Sequence, residues 1–95
     1  MDLPVGAGWV FAKEAAHNHA SSLARFCTPD AAELIRAETR KFCGQQAPTS
    51  PAELEARNQE SLHLLSKIGT VSHVDQMARQ HPKIAGQLMQ LLGVP

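Results

Sequence analysis

The sequence predicts an all-α fold, a small bundle of four to five short helices in a single domain. Apolar residues recur every three or four positions, which is the spacing of one helix face. Ser or Thr followed by Pro, at Thr28 and Ser50, and glycines at Gly44 and Gly69 divide the chain into segments of helix length. No stretch bounded by turn signals alternates apolar with polar residues over five or more positions, and β-branched residues are sparse, so no strand is predicted. The 95 residues leave room for one domain, spanning 1–95.

The first helix is predicted to run from Gly8 to Phe26, and residues 1–7 are interpreted as an extended N-terminal arm. Its core-facing stripe is Trp9, Ala12, Ala16, Ala20, Leu23 and Cys27. The second helix is predicted to begin with Thr28 as its N-cap and to end at Gly44. Its stripe is Ala31, Leu34, Ile35, Glu38 and Phe42.

The third helix is predicted to begin with a capping box at Ser50 and Glu53 and to end at Gly69. A shorter fourth helix would end before Pro82, because proline disfavours helix in the residue preceding it, and a last helix would begin there. The face assigned to the third helix is Leu54, Asn58, Ser61, Leu62, Leu65 and Ile68. The predicted core is Leu34, Ile35, Phe42, Leu54, Leu62, Leu65 and Ile68.

Composition narrows the function classes. Lys and Arg together number 9, and so do Asp and Glu, so the chain lacks the net positive charge with which many proteins bind nucleic acid or anionic membranes. No apolar run reaches the length of a membrane span, and Asp2 stands where a signal peptide would carry positive charge. A cytoplasmic protein without membrane attachment is expected. Cys27 and Cys43 flank the second helix and are expected to be reduced thiols.

One metal-binding pattern occurs twice. Glu14 and His17 on the first helix, and Glu60 and His63 on the third, are Glu-x-x-His pairs of the kind that hold two metal ions in helical bundles. On a helical wheel both pairs fall opposite the predicted core stripes, so we expect these four side chains to be solvated. A metal-binding bundle is therefore the third-ranked hypothesis, and no cofactor is predicted.

Two polar residues, Glu38 and Asn58, interrupt the predicted apolar stripes. A carboxylate facing a core is costly unless it is paired. These residues would therefore either hydrogen-bond to another helix or line a polar groove left open for a partner. No nucleophile or convergent set of titratable groups accompanies them, so the sequence does not predict an enzyme.

Residues 71–92 have the helix–break–helix outline of a helix-turn-helix. Lys83 is the only cation at the start of the second helix, and Arg79 is the nearest other one. Recognition helices usually have several phosphate-binding Lys or Arg around them. A DNA-binding regulator is therefore the second-ranked hypothesis, and nucleic acid is disfavoured as a partner.

The last helix has more apolar residues than one buried face needs. They spread over a wide arc of the helix, and such a surface usually meets another chain. The first-ranked hypothesis is accordingly a non-catalytic protein-interaction module, such as an adaptor, accessory subunit, inhibitor or chaperone-like protein. Its partner would be another protein or a second copy in a homodimer. The predicted contact residues are Ile84, Ala85, Leu88, Met89 and Leu92.

Overall fold

The structure is a computed structural model that describes residues 4–91 and Gly93, without the side chain of Met89. These residues contain helices and no strand, which confirms the predicted all-α bundle. No helix among them is both long and apolar enough to cross a membrane. The helices are α1 (Val5–Ala24), α2 (Pro29–Cys43), α3 (Pro51–Gln80), a 3-10 turn (Pro82–Ile84) and α4 (Ala85–Leu91).

The first three helices form the bundle, each packing against the other two, and α4 packs against α3. Gly8 lies against Leu54 near the start of α1 and α3, and Thr28, just after α1, bonds to Asp75 near the end of α3. Helices α1 and α3 therefore run in the same direction, with α2 antiparallel to both. At 1.5 Å per residue the 30-residue α3 is about 45 Å long and spans the whole bundle.

Small side chains on α1 let the three helices approach closely. The predicted stripe is confirmed along α1, since Ala16 is fully buried and the other stripe residues are buried or half-buried. The helix ends at Ala24 rather than Phe26, so the last stripe residue, Cys27, is half-buried beyond its end. Trp9 closes one end of the core, where its ring meets Phe42 edge to face at 5.3 Å between centroids. The buried cluster is Trp9, Ala12, Ala16, Ala20, Ala31, Ile35, Phe42, Leu64, Ile68 and Val71.

Helix α1 begins earlier than predicted. Residues 5–7 are helical rather than part of an extended arm, because the carbonyl of Pro4 already accepts a hydrogen bond from the Gly8 N–H at 3.0 Å. The rest of the predicted arm, residues 1–3, lies outside the described residues. A Cβ at Gly8 would stand 2.7 Å from Leu54 Cδ2, so the glycine lets this leucine pack directly against the backbone of α1.

The predicted helix end at Gly69 is wrong. Helix α3 continues through this glycine to Gln80 and includes the segment predicted as a separate fourth helix. Glycine often ends a helix by adopting a left-handed backbone, and among the described residues only Gly93 has a positive φ; even at Gly44, where α2 does end, φ is −83°. Burial explains the continuity, since Val71, Asp75 and Ala78 extend the buried face of Leu64 and Ile68. This burial outweighs the helix penalty of glycine, about 1 kcal/mol.

The predicted face of α3 is rotated from the observed one. Leu62, assigned to the core, is 61% exposed, whereas Leu64, which was not assigned, is buried. Buried positions recur at intervals of four and three from Leu64 to Ala78, and this spacing excludes residue 62. The other predicted core residues are buried or packed against the core as half-buried side chains.

The carboxylate of Asp75 is fully buried and joins α3 to the turn between α1 and α2. It accepts hydrogen bonds from the N–H of Thr28, at 3.1 Å, and from the Thr28 hydroxyl. Arg79 forms an ion pair with it at 3.3 Å and donates to the Phe26 carbonyl at 2.6 Å. Thr28 was expected to cap α2 with its side chain; it occupies the N-cap position, but its hydroxyl serves Asp75 instead.

The start of α3 follows the predicted capping box with a shift of one residue. The Ser50 hydroxyl accepts from the Glu53 N–H at 3.2 Å. The Glu53 carboxylate accepts from the N–H of Thr49, at 2.7 Å, rather than from that of Ser50. The hydrogen bonds from the backbone and hydroxyl of Thr49 lower the pKa of Glu53 below its ordinary value.

We predict that Leu64→Ala destabilises the fold by about 2–5 kcal/mol, because it empties a buried site. Leu62→Ala removes an exposed side chain and should cost about 0.5 kcal/mol or less. Chemical denaturation of the two variants checks this difference. A larger cost for Leu62→Ala would mean that α3 is rotated as the sequence pattern indicated.

We predict that Asp75→Ala costs about 3 kcal/mol, because the partly buried N–H and hydroxyl of Thr28 lose their carboxylate acceptor. Arg79→Ala should cost less, about 1 kcal/mol, because the Arg79 side chain is 48% exposed and both hydrogen bonds from Thr28 to Asp75 remain. Equilibrium unfolding measures both. Equal losses in the two variants would contradict the assignment of Asp75 as the anchor.

We predict that Glu53 makes stability depend on pH at the start of α3. Its pKa is lowered in the folded protein, so its contribution is present above its ordinary value of 4.5 and is lost as the pH falls through the folded value. The stability difference between the natural protein and Glu53→Gln should therefore shrink as the pH is lowered towards 3. Urea unfolding across this range measures it, and a constant difference would refute the prediction.

Candidate functional site

The groove between α2 and α3 is lined by charges that compensate one another. Glu38 is half-buried and pairs with Lys67 at 3.1 Å. Glu60 accepts from Gln45 at 2.7 Å and pairs with Arg57 at 3.4 Å. The first of these contacts joins α2 to α3, and the second ties the residues after α2 to α3. The groove, of about 480 Å³, is left without an uncompensated cluster of one sign.

The two polar residues singled out from the sequence lie in different grooves. Glu38 lines the α2/α3 groove, whereas Asn58 is exposed and lines the groove between α1 and α3. The structure therefore does not bring them together into one polar groove.

The two Glu-x-x-His pairs are exposed, as the helical wheel indicated. Glu14 and His17 lie on α1, and His17 lines the α1/α2 groove; Glu60 and His63 line the α2/α3 groove. The structure does not bring the two pairs into one site. Within residues 4–91, no three His, Cys, Asp or Glu side chains are close enough to share a metal ion.

The groove between α1 and α3 differs from the α2/α3 and α1/α2 grooves in that most of the residues lining it are apolar. It encloses about 830 Å³, and two large apolar side chains stand open to solvent in it, Phe11 at 69% and Leu62 at 61% exposure. Glu55 is its single charged lining residue among those described, and it accepts a hydrogen bond from Gln59 at 3.0 Å. The lining residues are Val5, Gly8, Phe11, Ala12, Ala15, Pro51, Leu54, Glu55, Asn58, Gln59, Ser61 and Leu62.

The outward face of α1 beside this groove is nearly free of charge. Between Val5 and Ala24 the single exposed Asp, Glu, Lys or Arg is Glu14, because Lys13 is half-buried over the Trp9 ring. Helix α2, by contrast, exposes Asp30, Glu33, Arg36, Arg40 and Lys41. Depletion of charge around exposed aromatic and aliphatic side chains is typical of surfaces that another protein covers.

The sequence pattern placed Phe11 and Leu62, the two exposed apolar side chains of the α1/α3 groove, differently. Phe11 falls off the stripe of Trp9 and Ala12, and the same wheel that found the stripe places Phe11 outside it. Leu62 was missed because the helix was ended at Gly69. Extending the spacing of the buried face through that glycine would have placed Leu62 on the surface.

The contact surface predicted on the last helix is described only in part. Ile84 is 43% exposed, while Ala85 and Leu88 are half-buried in the segment that packs against α3. Leu92 and the side chain of Met89 lie outside the described residues. A contact through this surface stays a prediction.

The segment 71–92, which has the outline of a helix-turn-helix in the sequence, does not contain two separate helices of similar length. Its first part is the end of α3, and the helix after the break, α4, has seven residues. Lys83 is exposed in the 3-10 turn. The Arg79 guanidinium is engaged by Asp75 and by the Phe26 carbonyl, so a DNA phosphate would have to displace these partners.

Comparison of the chain with models of known protein families, with curated proteins and with solved structures finds no match in any of the three.

Proposed function

We propose that this chain is a non-catalytic protein-interaction module whose α1/α3 groove receives an amphipathic helix of a partner protein. The observation that carries the proposal is the exposure of Phe11 and Leu62 in one groove with little charge. Apolar side chains gathered in this way lose contact with water when a partner covers them, at about 25 cal/mol per Å² of apolar area.

The shape of the groove suits a helical partner. Its walls are two parallel helices, and the lining residues of α1, from Val5 to Ala15, cover about three turns. An amphipathic helix of similar length would place apolar residues at i, i+3 or i+4, and i+7 along such a groove. The partner helix would stand beside α1 and α3 as a fourth member of the bundle.

The charge of the groove favours a basic helix over a second copy of this chain. Glu55 lines the groove, and Glu14 lies three residues from Phe11 on α1. Neither forms an ion pair within the described residues, and no Lys or Arg is among the described lining residues. Lys or Arg beside the partner's apolar stripe would pair with these carboxylates, whereas a second copy docked through the same groove would bring its own Glu55 and Glu14 to them.

The lining also supports a binding role rather than a catalytic one. Glu55 is the single titratable side chain among the described lining residues. Acid–base or nucleophilic catalysis requires a second group within hydrogen-bond reach.

We predict that a synthetic amphipathic peptide with a leucine stripe flanked by lysines binds the groove. Phe11→Asp should weaken this binding by at least about tenfold, because a charge is placed where water is excluded. Val10→Asp is the matched control: Val10 is the preceding residue, is 49% exposed and does not line the groove. Its effect should stay within about threefold. Fluorescence anisotropy of the labelled peptide measures both variants, and circular dichroism verifies their folding.

The proposal would be contradicted if the lysine-flanked peptide failed to bind, or if a glutamate-flanked peptide with the same leucine stripe bound equally well. It would also be contradicted if Val10→Asp weakened binding as much as Phe11→Asp. Light scattering of the protein alone tests whether a second copy of this chain occupies the groove instead. A dimer that Phe11→Asp dissociates and Val10→Asp does not would assign the groove to a second copy.

A further inference from the structure

The groove between α1 and α2, on the other side of α1, is cationic. It encloses about 280 Å³. No carboxylate is among its described lining residues, although α2 exposes both acids and bases. Its lining is His17, Ala20 and Ser21 from α1 with Arg36, Thr39, Arg40 and Cys43 from α2.

Two guanidinium groups provide the charge. Arg36 and Arg40 are four residues apart on α2, so they project from the same helix face. Arg40 donates to Glu33 at 2.8 Å, whereas Arg36 forms no ion pair within the described residues. The pKa of Glu33 is lowered, first by the hydrogen bond and charge of Arg40 and to a smaller degree by the charge of Arg36. One carboxylate thus faces two guanidiniums, and an excess of positive charge remains.

The floor of the groove is polar but uncharged. The hydroxyl of the buried Thr39 donates to the Ile35 carbonyl at 2.8 Å, and the Cys43 thiol lies 3.9 Å from the Lys13 carbonyl. Burial raises the pKa of Cys43, so its sulfur stays a neutral thiol at pH 7 and adds no negative charge. An anion in the groove would therefore meet no repulsion from the floor.

From this lining we infer a binding site for a phosphoryl group, either inorganic phosphate or the phosphate of a small monoester. The guanidinium of Arg36, and the nitrogens of Arg40 that do not bond to Glu33, can donate to the oxygens of a tetrahedral anion, and Ser21 and His17 on the facing helix add donors. A phosphate carries about 1.5 to 2 negative charges at pH 7, which suits two guanidiniums better than the single charge of a carboxylate. This site is separate from the α1/α3 groove and does not depend on the function proposed for it.

Titration of the ¹⁵N-labelled protein with sodium phosphate at constant ionic strength tests the site. We expect saturable shifts of the amide signals of Ser21, Arg36 and Arg40. Arg36→Gln should raise the dissociation constant by at least about fivefold, because it removes a charge-assisted donor. Lys41→Gln is the matched control, since Lys41 is on the same helix and exposed but lines the α2/α3 groove. It should change the constant by less than about twofold, as expected for screened bulk charge.

Further ligands and a second variant complete the experiment. Phenyl phosphate that binds at least as tightly as inorganic phosphate would identify a monoester as the source, and weaker binding would identify the free ion. His17→Gln, on α1, should also weaken binding, which extends the test to a helix that does not carry the two arginines. The inference is overturned if phosphate gives no saturable shift, if acetate binds equally well, or if Lys41→Gln acts like Arg36→Gln.

Discussion

The buried carboxylate of Asp75 is the constraint on which the arrangement of the helices depends. A charge without access to water must be matched by donors, and these come from Thr28 and Arg79. Thr28 begins α2, and Arg79 also holds the Phe26 carbonyl after the end of α1. A single side chain of α3 thereby sets where α1 ends, where α2 begins and how far α3 must extend to reach both.

The anchoring of the ends of α1 and α3 at Asp75 also bears on the groove between the first turns of these two helices. The two helices run in parallel, and their first turns meet where Gly8 admits Leu54. Among the described residues no third helix covers the groove beyond this contact, so Phe11 and Leu62 are exposed to solvent. Its apolar surface is thus a consequence of the helix arrangement, and it is the surface that the proposed partner helix would cover.

Helix α1 separates two surfaces of different chemistry. One side carries the apolar groove shared with α3, and the other, at His17 and Ser21, faces the guanidinium groups of Arg36 and Arg40. The helix itself contributes almost no charge, so the charged lining residues of each groove come from the neighbouring helix. These are Glu55 of α3 on one side and Arg36 and Arg40 of α2 on the other, and this difference makes the two grooves chemically distinct.

The sequence by itself determined the helical class, the stripe of α1 and the starts of α2 and α3, because spacing and capping act between residues close in the chain. Tertiary structure alone decided that α3 continues through Gly69, from which the exposure of Leu62 follows, and that the Thr28 hydroxyl bonds to Asp75. Each of these depends on a partner distant in sequence, whose burial or charge outweighs a local preference of about 1 kcal/mol. The grooves follow the same rule, since their linings join residues of two helices that no local pattern connects.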